Sequence, residues 1–196
     1  MFKIGKDIGG AILAGGRGRR LGYPKSLLRV GGERVIDRVV ETMKGIFDEV
    51  LIVVDDREQF IEPAGVSVVE DLIPGQGPLA AIYTALKLSS REKVFVAAGD
   101  MPFLQADLIR RLLTIARRED CDCVIPRNNG GYESLHAVYS SAARPAFERA
   151  LKGDDLSVWA AFSRLNTVYV DTTPVERQSF FNINTPEDLK LAILNK

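Results

Sequence analysis

Short apolar runs bounded by glycine, proline or aspartate alternate along this chain with segments of helical periodicity, and this alternation limits the folds that it can adopt. The runs IGGAIL, VLIVVDD, VSVVED, KVFVAAGD and CDCVIP are rich in Val, Ile and Ala, as are strands that are buried on both faces. Between them, residues 35–47, 78–88 and 104–118 place apolar side chains at helical spacing. The order strand, helix, strand, strand, helix, strand, helix, strand predicts an α/β fold with a largely parallel sheet.

The rest of the chain is less regular. We expect a strand within 132–139, helices over 142–152 and 156–165, and a strand over 167–170. Thr185 is the predicted N-cap of a final helix, with Pro186 at its first position and acidic residues in its first turn. Because no repeat, low-complexity run or linker interrupts the sequence, we predict one domain spanning residues 1–196.

The overall charge balance argues for a local site that binds an anionic ligand and against a surface that binds nucleic acid in general. Lys plus Arg and Asp plus Glu each number 26, so the net charge is zero, which argues against general nucleic-acid binding.

No apolar stretch approaches the roughly 20 residues that span a bilayer, and the apolar run near the N-terminus is too short for a secretory signal, so we expect a cytoplasmic protein. Cys121 and Cys123 have no second pair and His136 is the only histidine, which disfavours a zinc site.

A loop rich in glycine and arginine follows the first predicted strand, in the stretch AILAGGRGRRLGYPKSLLRVGG from residue 11 to residue 32. Glycines allow several backbone N–H groups to point at one oxyanion. Arg17, Arg19, Arg20 and Lys25 add positive charge. Neither the Walker A motif nor the Rossmann glycine motif matches this spacing. The loop is therefore predicted to bind a di- or triphosphate, with a mobile basic turn as the alternative.

Acidic residues follow three other predicted strands: Asp55 and Asp56, Asp71, and Asp100. Ligands of open α/β sheets bind beyond the carboxyl ends of the strands, so these carboxylates and the basic loop are expected at one edge of the sheet. Mg²⁺ in proteins takes one or two carboxylates together with phosphate oxygens. Asp100 is therefore the predicted Mg²⁺ ligand, with a turn or helix-cap role as the alternative for it and for Asp71.

Four segments of the chain together resemble a known family. LAGGRGRRLGYPKSLL is similar to the signature of the nucleotidyltransferases that make activated sugars and cofactors. EDLIPGQGPLAAIYTAL, GDMPFL and FFNINTPEDL narrow the resemblance to the molybdenum cofactor guanylyltransferases, and it runs from Ile12 to Leu191. The resemblance implies a Rossmann-like three-layer α/β/α fold and the transfer of GMP from GTP to the molybdopterin cofactor, with release of pyrophosphate. It further implies a nucleotide-binding part over about 8–110 and an acceptor-binding part over about 120–196.

For the nucleotide, the resemblance implies contacts from the end of the first strand and from two later residues. The backbone of Leu13, Ala14 and Gly15 would line the guanine. Lys25 would contact phosphate, and Asp71 would lie at the nucleoside. The two glycines and the second proline of the segment PGQGP are expected to shape a wall against the flat base.

For catalysis, the resemblance implies Arg20, Lys25 and Asp100. Asp100 would bind GTP and hold Mg²⁺, while the two cations would offset the charge that develops on the leaving pyrophosphate. Asn182 and Asn184 would bind the acceptor, and Asn184 would help to hold the metal. Because molybdopterin is oxygen-labile, the resemblance also implies handover to or from other proteins of cofactor biosynthesis.

Two segments depart from the family pattern. Asp55 and Asp56 stand where the family usually has an asparagine, and we expect a carboxylate there to accept hydrogen bonds from N1–H and N2–H of guanine. In ESLHAVY, Ser134 replaces a proline of the acceptor segment. Three further polar residues that can meet an anionic acceptor lie in the predicted turn PRNNGGY: Arg127, Asn128 and Asn129. Two alternative functions remain open. The first is a related nucleotidyltransferase, which would use either CTP with the same pterin or a nucleoside triphosphate with a sugar phosphate. The second is a non-catalytic nucleotide-binding protein.

Overall fold

The computed structural model describes residues 7–15, 28–58, 60–128 and 131–194. Within these ranges the strands are β1 (Ile8–Leu13), β2 (Arg29–Val30), β3 (Glu33–Arg34), β4 (Val50–Val54), β5 (Ser67–Glu70), β6 (Lys93–Ala98), β7 (Cys123–Asn128), β8 (Gly131–Tyr132), β9 (His136–Ser140) and β10 (Thr167–Asp171). The helices are α1 (Val35–Lys44), α2 (Gly77–Leu88), α3 (Ala106–Arg118), α4 (Arg144–Ala150), α5 (Trp159–Phe162) and α6 (Pro186–Leu194), with 3₁₀ turns at Ser141–Ala143 and Glu176–Phe180. None of these described helices has both the length and the apolar character needed to cross a bilayer.

The main sheet has the strand order β10-β7-β9-β6-β1-β4-β5, with β8 paired to the end of β7. β1 is parallel to both β4 and β6, β4 is parallel to β5, and β10 is parallel to β7. β9 is antiparallel to both of its neighbours, β6 and β7. The predicted α/β fold with a largely parallel sheet is therefore confirmed, with β9 as a reversed strand inside it.

The strand order reverses at β1, and this reversal places a crevice at the carboxyl end of that strand. The chain passes from β1 through α1 to β4 on one side of β1, and later from β5 through α2 to β6 on the other side. The register pairs Leu13 with both Val53 and Ala98, so three strands end at nearly the same level. In open α/β sheets, ligands bind at such a reversal.

Helices cover both faces of the sheet. On one face, α1 and α3 pack with strand residues such as Ile12 and Phe95. On the other face, α2, α4 and α5 pack with Ala11, Val96 and their neighbours. Both alternating sets of strand side chains therefore meet a helix, which explains why β1, β4 and β6 are almost entirely buried and read as continuous apolar runs. The three-layer α/β/α arrangement is the one that the family resemblance implies.

A smaller buried cluster holds the C-terminal segment beside the sheet. Ile183 is fully buried and packs with Leu28, Val30 and Val35 at the start of α1. Phe103 and Phe181 are partly buried against the same cluster. These apolar contacts hold the segment before α6 against β2 and the start of α1.

The predicted boundaries hold best in the parallel half of the sheet. β1 spans the predicted Ile8–Leu13, whereas the predicted strand over 132–139 is interrupted. A turn separates β8 from β9, in which the Glu133 N–H donates to the Pro126 carbonyl and the His136 N–H donates to the Glu133 carbonyl, each at 3.0 Å. The helix expected over 156–165 is only Trp159–Phe162, and the hairpin formed by β2 and β3 was not predicted.

Candidate functional site

A cavity of about 420 Å³ lies at the carboxyl ends of β1, β4 and β6. We call it the first cavity. Its polar side chains among the described residues are Asp55, Asp100, Asn182 and Asn184. Its volume falls within the range of small-molecule sites, which is about 300 to 1,000 Å³. The site therefore occupies the position that the strand order favours for a ligand.

The end of β1 contributes main chain to this cavity. Leu13, Ala14 and Gly15 all line it, as the resemblance implies for the guanine site. The Ala14 N–H donates to the Val53 carbonyl at 2.8 Å, and the Gly99 N–H donates to the Leu13 carbonyl at 2.9 Å. These bonds hold the turn after β1 against β4 and β6, so the backbone that meets a ligand is fixed on both sides.

Gly15 and Asp55 approach each other closely at the wall of the first cavity. A Cβ atom on Gly15 would lie 2.7 Å from Oδ1 of Asp55, so a larger residue there would require the Asp55 side chain to move. Asp55 is exposed and lines the cavity. Asp56 is not among the lining residues, and its Oδ1 accepts a hydrogen bond from the Glu58 N–H at 2.9 Å within its own turn. Of the two aspartates, Asp55 is thus the one positioned to meet a ligand in this cavity.

Asp71 is buried next to the cavity rather than among the residues that line it. Its Oδ1 accepts hydrogen bonds from the Thr84 hydroxyl at 2.6 Å and from the Ile73 N–H at 3.1 Å. The Thr84 hydroxyl in turn accepts from the Leu72 N–H at 3.0 Å. In this arrangement the carboxylate joins the end of β5 to α2 and shapes the loop that leads into the cavity wall. Direct contact of Asp71 with a nucleoside stays a prediction.

The start of α2 forms a second wall of the first cavity. Gly75 and Gly77 have φ angles of 83° and 71°, a conformation that other residues rarely adopt. Gly77, Pro78 and Ala81 line the cavity from the first turns of the helix. The N-terminus of a helix carries roughly half a positive charge and unpaired N–H groups, which favours a bound anion. The wall expected from the segment PGQGP is therefore formed by Gly75, Gly77 and Pro78. It lies where an anionic ligand would meet the N-terminus of α2.

Asp100 lies just after β6 and is only 9% exposed. Its carbonyl oxygen accepts a hydrogen bond from the Ile183 N–H at 3.1 Å, which ties the C-terminal segment to it. Asn182 and Asn184 flank the buried Ile183 in the sequence, and both line the first cavity. The structure therefore brings together Asp100, Asn182 and Asn184 at one end of the first cavity, although 82 residues or more separate Asp100 from the asparagines in the sequence.

The cap of α6 fixes the backbone at Asn184. The Asp188 N–H donates to the Thr185 hydroxyl at 3.1 Å, which confirms Thr185 as the cap. In return, Oδ2 of Asp188 accepts from the Asn184 and Thr185 N–H groups, each at 2.9 Å. Those two N–H groups lower the pKa of Asp188, since they stabilise its ionised form. The capping box thus holds Asn184 in place against the cavity.

The donor set at this end of the cavity fits a magnesium ion better than a softer metal. Among the described residues, no group of three or more His, Cys, Asp or Glu side chains is placed to hold a metal. Mg²⁺ does not need such a group when substrate phosphates supply further oxygens. Asp100 and Asn184 offer a carboxylate and an amide oxygen, which are hard ligands of the required kind.

Two predicted catalytic residues, Arg20 and Lys25, lie outside the described residues, as do Arg17, Arg19 and Asn129. Their roles stay predictions. The sequence patterns also missed the apolar lining of the first cavity, which includes Ile36 and Ala81. Each belongs to a helix whose apolar spacing predicts a core position, so periodicity alone offers no sign that it borders a ligand.

Comparison with known proteins adds to this geometry. The MobA-like NTP transferase domain family matches residues 10–168 of the chain. A protein of Thermococcus gammatolerans named probable molybdenum cofactor guanylyltransferase is 39% identical over 189 residues, which cover 92% of this chain and 96% of that protein. One of the same name from Natranaerobius thermophilus is 35% identical over 194 residues and covers 95% of each. The crystal structure of molybdopterin-guanine dinucleotide biosynthesis protein A from Archaeoglobus fulgidus has a TM-score of 0.84 at 31% identity and covers 96% of this chain and 98% of that one.

Proposed function

The chain belongs to the MobA-like NTP transferase family and, within it, to the molybdenum cofactor guanylyltransferases, and on this basis we propose that it transfers GMP from GTP to the terminal phosphate of molybdopterin. The observation that carries the proposal is the first cavity. It lies at the strand reversal and gathers Asp100, Asn182 and Asn184 at one end, with the start of α2 as a wall. Residues from about 8–110 would hold the nucleotide, and the asparagines from the later part of the chain would meet the acceptor.

The reaction needs no general base. The second pKa of a phosphate monoester is about 6, so the acceptor phosphate is already anionic near neutral pH. One of its oxygens attacks the α-phosphorus of GTP, the bond from that phosphorus to the bridging oxygen breaks, and pyrophosphate leaves. The single histidine, His136, is fully buried, and burial lowers its pKa to about 3, so it is not placed to act as a base.

The chain's own residues would then act by positioning two anions and by offsetting their charge. The Leu13–Gly15 backbone and the α2 N-terminus would orient GTP, while Asn182 and Asn184 would orient the acceptor phosphate. Arg20 and Lys25 would balance the charge that grows on the pyrophosphate. Asp100 and Asn184 would hold Mg²⁺, which when bound supplies further charge neutralisation at the phosphates. We also propose that this enzyme acts in the cytoplasm.

Asp55 would supply selectivity for guanine over adenine. Guanine presents N1–H and N2–H as a pair of donors, whereas the matching edge of adenine offers an acceptor. A carboxylate at the wall of the first cavity can accept both donors, and Asp55 stands there opposite the backbone of Gly15. Asp55→Ala should therefore reduce the preference for GTP over ATP, while Asp56→Ala should leave it intact. An unchanged preference in Asp55→Ala would contradict this role.

Pyrophosphate release with GTP, CTP or ATP, each with Mg²⁺ and molybdopterin, tests the proposal. We expect turnover with GTP, and a loss of about 100-fold in kcat for Asp100→Ala, the usual effect of removing one strong electrostatic contact. Asp107→Ala is the matched control, because the Asp107 side chain is 97% exposed on α3. Turnover with CTP, or with a sugar phosphate as acceptor, would favour a related transferase. Tight GTP binding without any turnover would favour a binding protein.

A further inference from the structure

A second cavity of about 680 Å³ lies beside the first. Phe103, Phe180 and Phe181 give it aromatic walls, and Glu133 and Arg177 give it charged groups. Phe103 and Phe181 contact each other with ring centroids 5.7 Å apart. An aromatic cavity that contains one carboxylate suits a flat heteroaromatic ring with hydrogen-bond donors on its edge.

Three chain segments line both cavities. Asp100, Leu135 and Asn182 border the first cavity. Each has a neighbour one to three positions away that borders the second cavity: Phe103, Glu133 and Phe181, respectively. Since consecutive Cα atoms are 3.8 Å apart, positions up to three apart lie within about 11 Å of each other. A ligand with its phosphate at Asp100 and Asn182 can therefore extend a ring into the second cavity.

Glu133 is held in place at this cavity. Its Oε1 accepts a hydrogen bond from Asn128 Nδ2 at 3.0 Å, and both residues line the cavity. A carboxylate has room for about four hydrogen bonds, so this contact leaves it able to accept more. Burial raises the pKa of Glu133, which means that its ionised form would gain from additional donors.

The walls around Glu133 are also anchored. The Gln105 N–H donates to the hydroxyl of buried Ser179 at 2.6 Å, which joins the loop after β6 to the 3₁₀ turn at Glu176–Phe180. Arg177 Nη2 donates to the Thr172 carbonyl at 3.2 Å on the far side of that turn. The cavity is thus built from segments that are tied to one another, as a pre-formed site requires.

We propose that the second cavity holds the pterin ring of the acceptor, with the 2-amino-4-oxo edge of the ring against the Glu133 carboxylate. This inference rests on the proposed function, which supplies a pterin phosphate as acceptor. The amino group and the adjacent ring N–H of that edge form a parallel pair of donors, which a carboxylate can accept with both oxygens. Guanine carries the same edge, so the test must separate pterin binding from GTP binding.

The variant Glu133→Gln tests the proposal with little change in shape. Its carbonyl oxygen can still accept from Asn128, but its NH₂ group faces the ligand with donors instead of an acceptor. We expect the KM for molybdopterin to rise about 10- to 100-fold, the usual effect of losing a charged hydrogen-bonded pair. The KM for GTP and kcat should stay within about threefold. Glu119→Gln, at an exposed glutamate after α3, is the matched control. Phe103→Leu, which keeps apolar volume but removes the ring face, should also raise the acceptor KM alone.

Binding of 6-hydroxymethylpterin, followed by its fluorescence, decides the inference independently of turnover. Wild type and Glu119→Gln should bind this free pterin, and Glu133→Gln should bind it at least about tenfold more weakly. If wild type transfers no GMP to molybdopterin, the proposed function fails, but Glu133-dependent pterin binding would still support the second cavity as a pterin site. Pterin binding and acceptor KM that do not depend on Glu133 would overturn the inference. Weaker GTP binding in Glu133→Gln would overturn it too, because the carboxylate would then read guanine.

Discussion

Replacing His136 with phenylalanine should reduce the fall in the free energy of unfolding that the wild type shows as the pH decreases. The imidazole is fully buried, and the rings of Phe95 and Phe180 contact it edge-on with centroids 5.0 Å and 5.3 Å away. Neither imidazole nitrogen has a hydrogen-bond partner within the part of the chain that the structure describes. Burial in apolar surroundings disfavours the charged imidazolium and lowers the pKa of His136 from 6.5 to about 3.

The sign and size of the effect follow from this shift. Between pH 6.5 and pH 3, the unfolded chain binds a proton at His136 that the folded chain does not, so the free energy of unfolding falls as the pH falls. Each pH unit contributes about 1.4 kcal/mol and the whole window about 5 kcal/mol. From pH 7.5 to pH 5.5, wild type should lose about 1.4 kcal/mol that His136→Phe keeps. Carboxylates with lowered pKa values, such as Asp7 and Asp188, titrate below the interval from pH 7.5 to pH 5.5.

Urea denaturation followed by far-ultraviolet circular dichroism at three pH values between 7.5 and 5.5 measures this difference. Contributions from other titrating groups are common to both proteins and cancel in the comparison. His136→Leu serves as a second variant in case the phenylalanine ring is too large for the site. Parallel profiles for wild type and both variants would show that the folded imidazole takes up its proton near the ordinary pKa, and the burial argument would then be wrong.

Three further substitutions test the packing that positions the site. Gly10→Ala should destabilise the protein by about 1 to 3 kcal/mol in urea denaturation, because the new Cβ would lie 2.8 Å from the ring of Phe47. Thr84→Val should cost about 1 to 3 kcal/mol and raise the KM for GTP, since it removes a side-chain donor from the buried carboxylate of Asp71. Thr185→Ala should cost about 1 kcal/mol through loss of the α6 cap, and should lower kcat in the pyrophosphate assay without changing GTP binding.

The parallel half of the fold was predictable because burial on both faces leaves a plain signal. β1 and β6 are continuous apolar runs: β1 ends two residues before Gly15, and β6 ends directly before Gly99 and Asp100. The segment around Trp159 was harder to predict, because its apolar residues form a short helix that packs against α4 and places Trp159 beside the exposed ring of Tyr132. Periodicity over ten residues cannot distinguish that case from a longer helix.

The site was predictable at its strand ends and not beyond them. Asp55 and Asp100 follow apolar runs, so the rule for open α/β sheets places both at one edge. The expectation that Asp100 lies near Asn182 and Asn184 came from the family resemblance, because no local sequence pattern links positions so far apart in the chain. The buried bonds of Asp71 to Thr84 had no signal in the sequence, since a threonine inside a helix is ordinarily a solvent-facing or core residue.

The reversed strand β9 explains why two cavities lie at one edge of the sheet. If the strand after β7 were parallel to β7, the chain would first have to cross back to the edge of the sheet where the parallel strands begin. Instead, β9 begins where β6 and β7 end, so the turn with Glu133 and Leu135 stays at the carboxyl edge. Leu135 then borders the first cavity and Glu133 the second. Guanine and pterin share a 2-amino-oxo edge, and in the proposed roles Asp55 would meet that edge of guanine and Glu133 that of pterin. The two rings would bind on either side of the phosphates at Asp100, as joining two nucleotide-like substrates through a new pyrophosphate linkage requires.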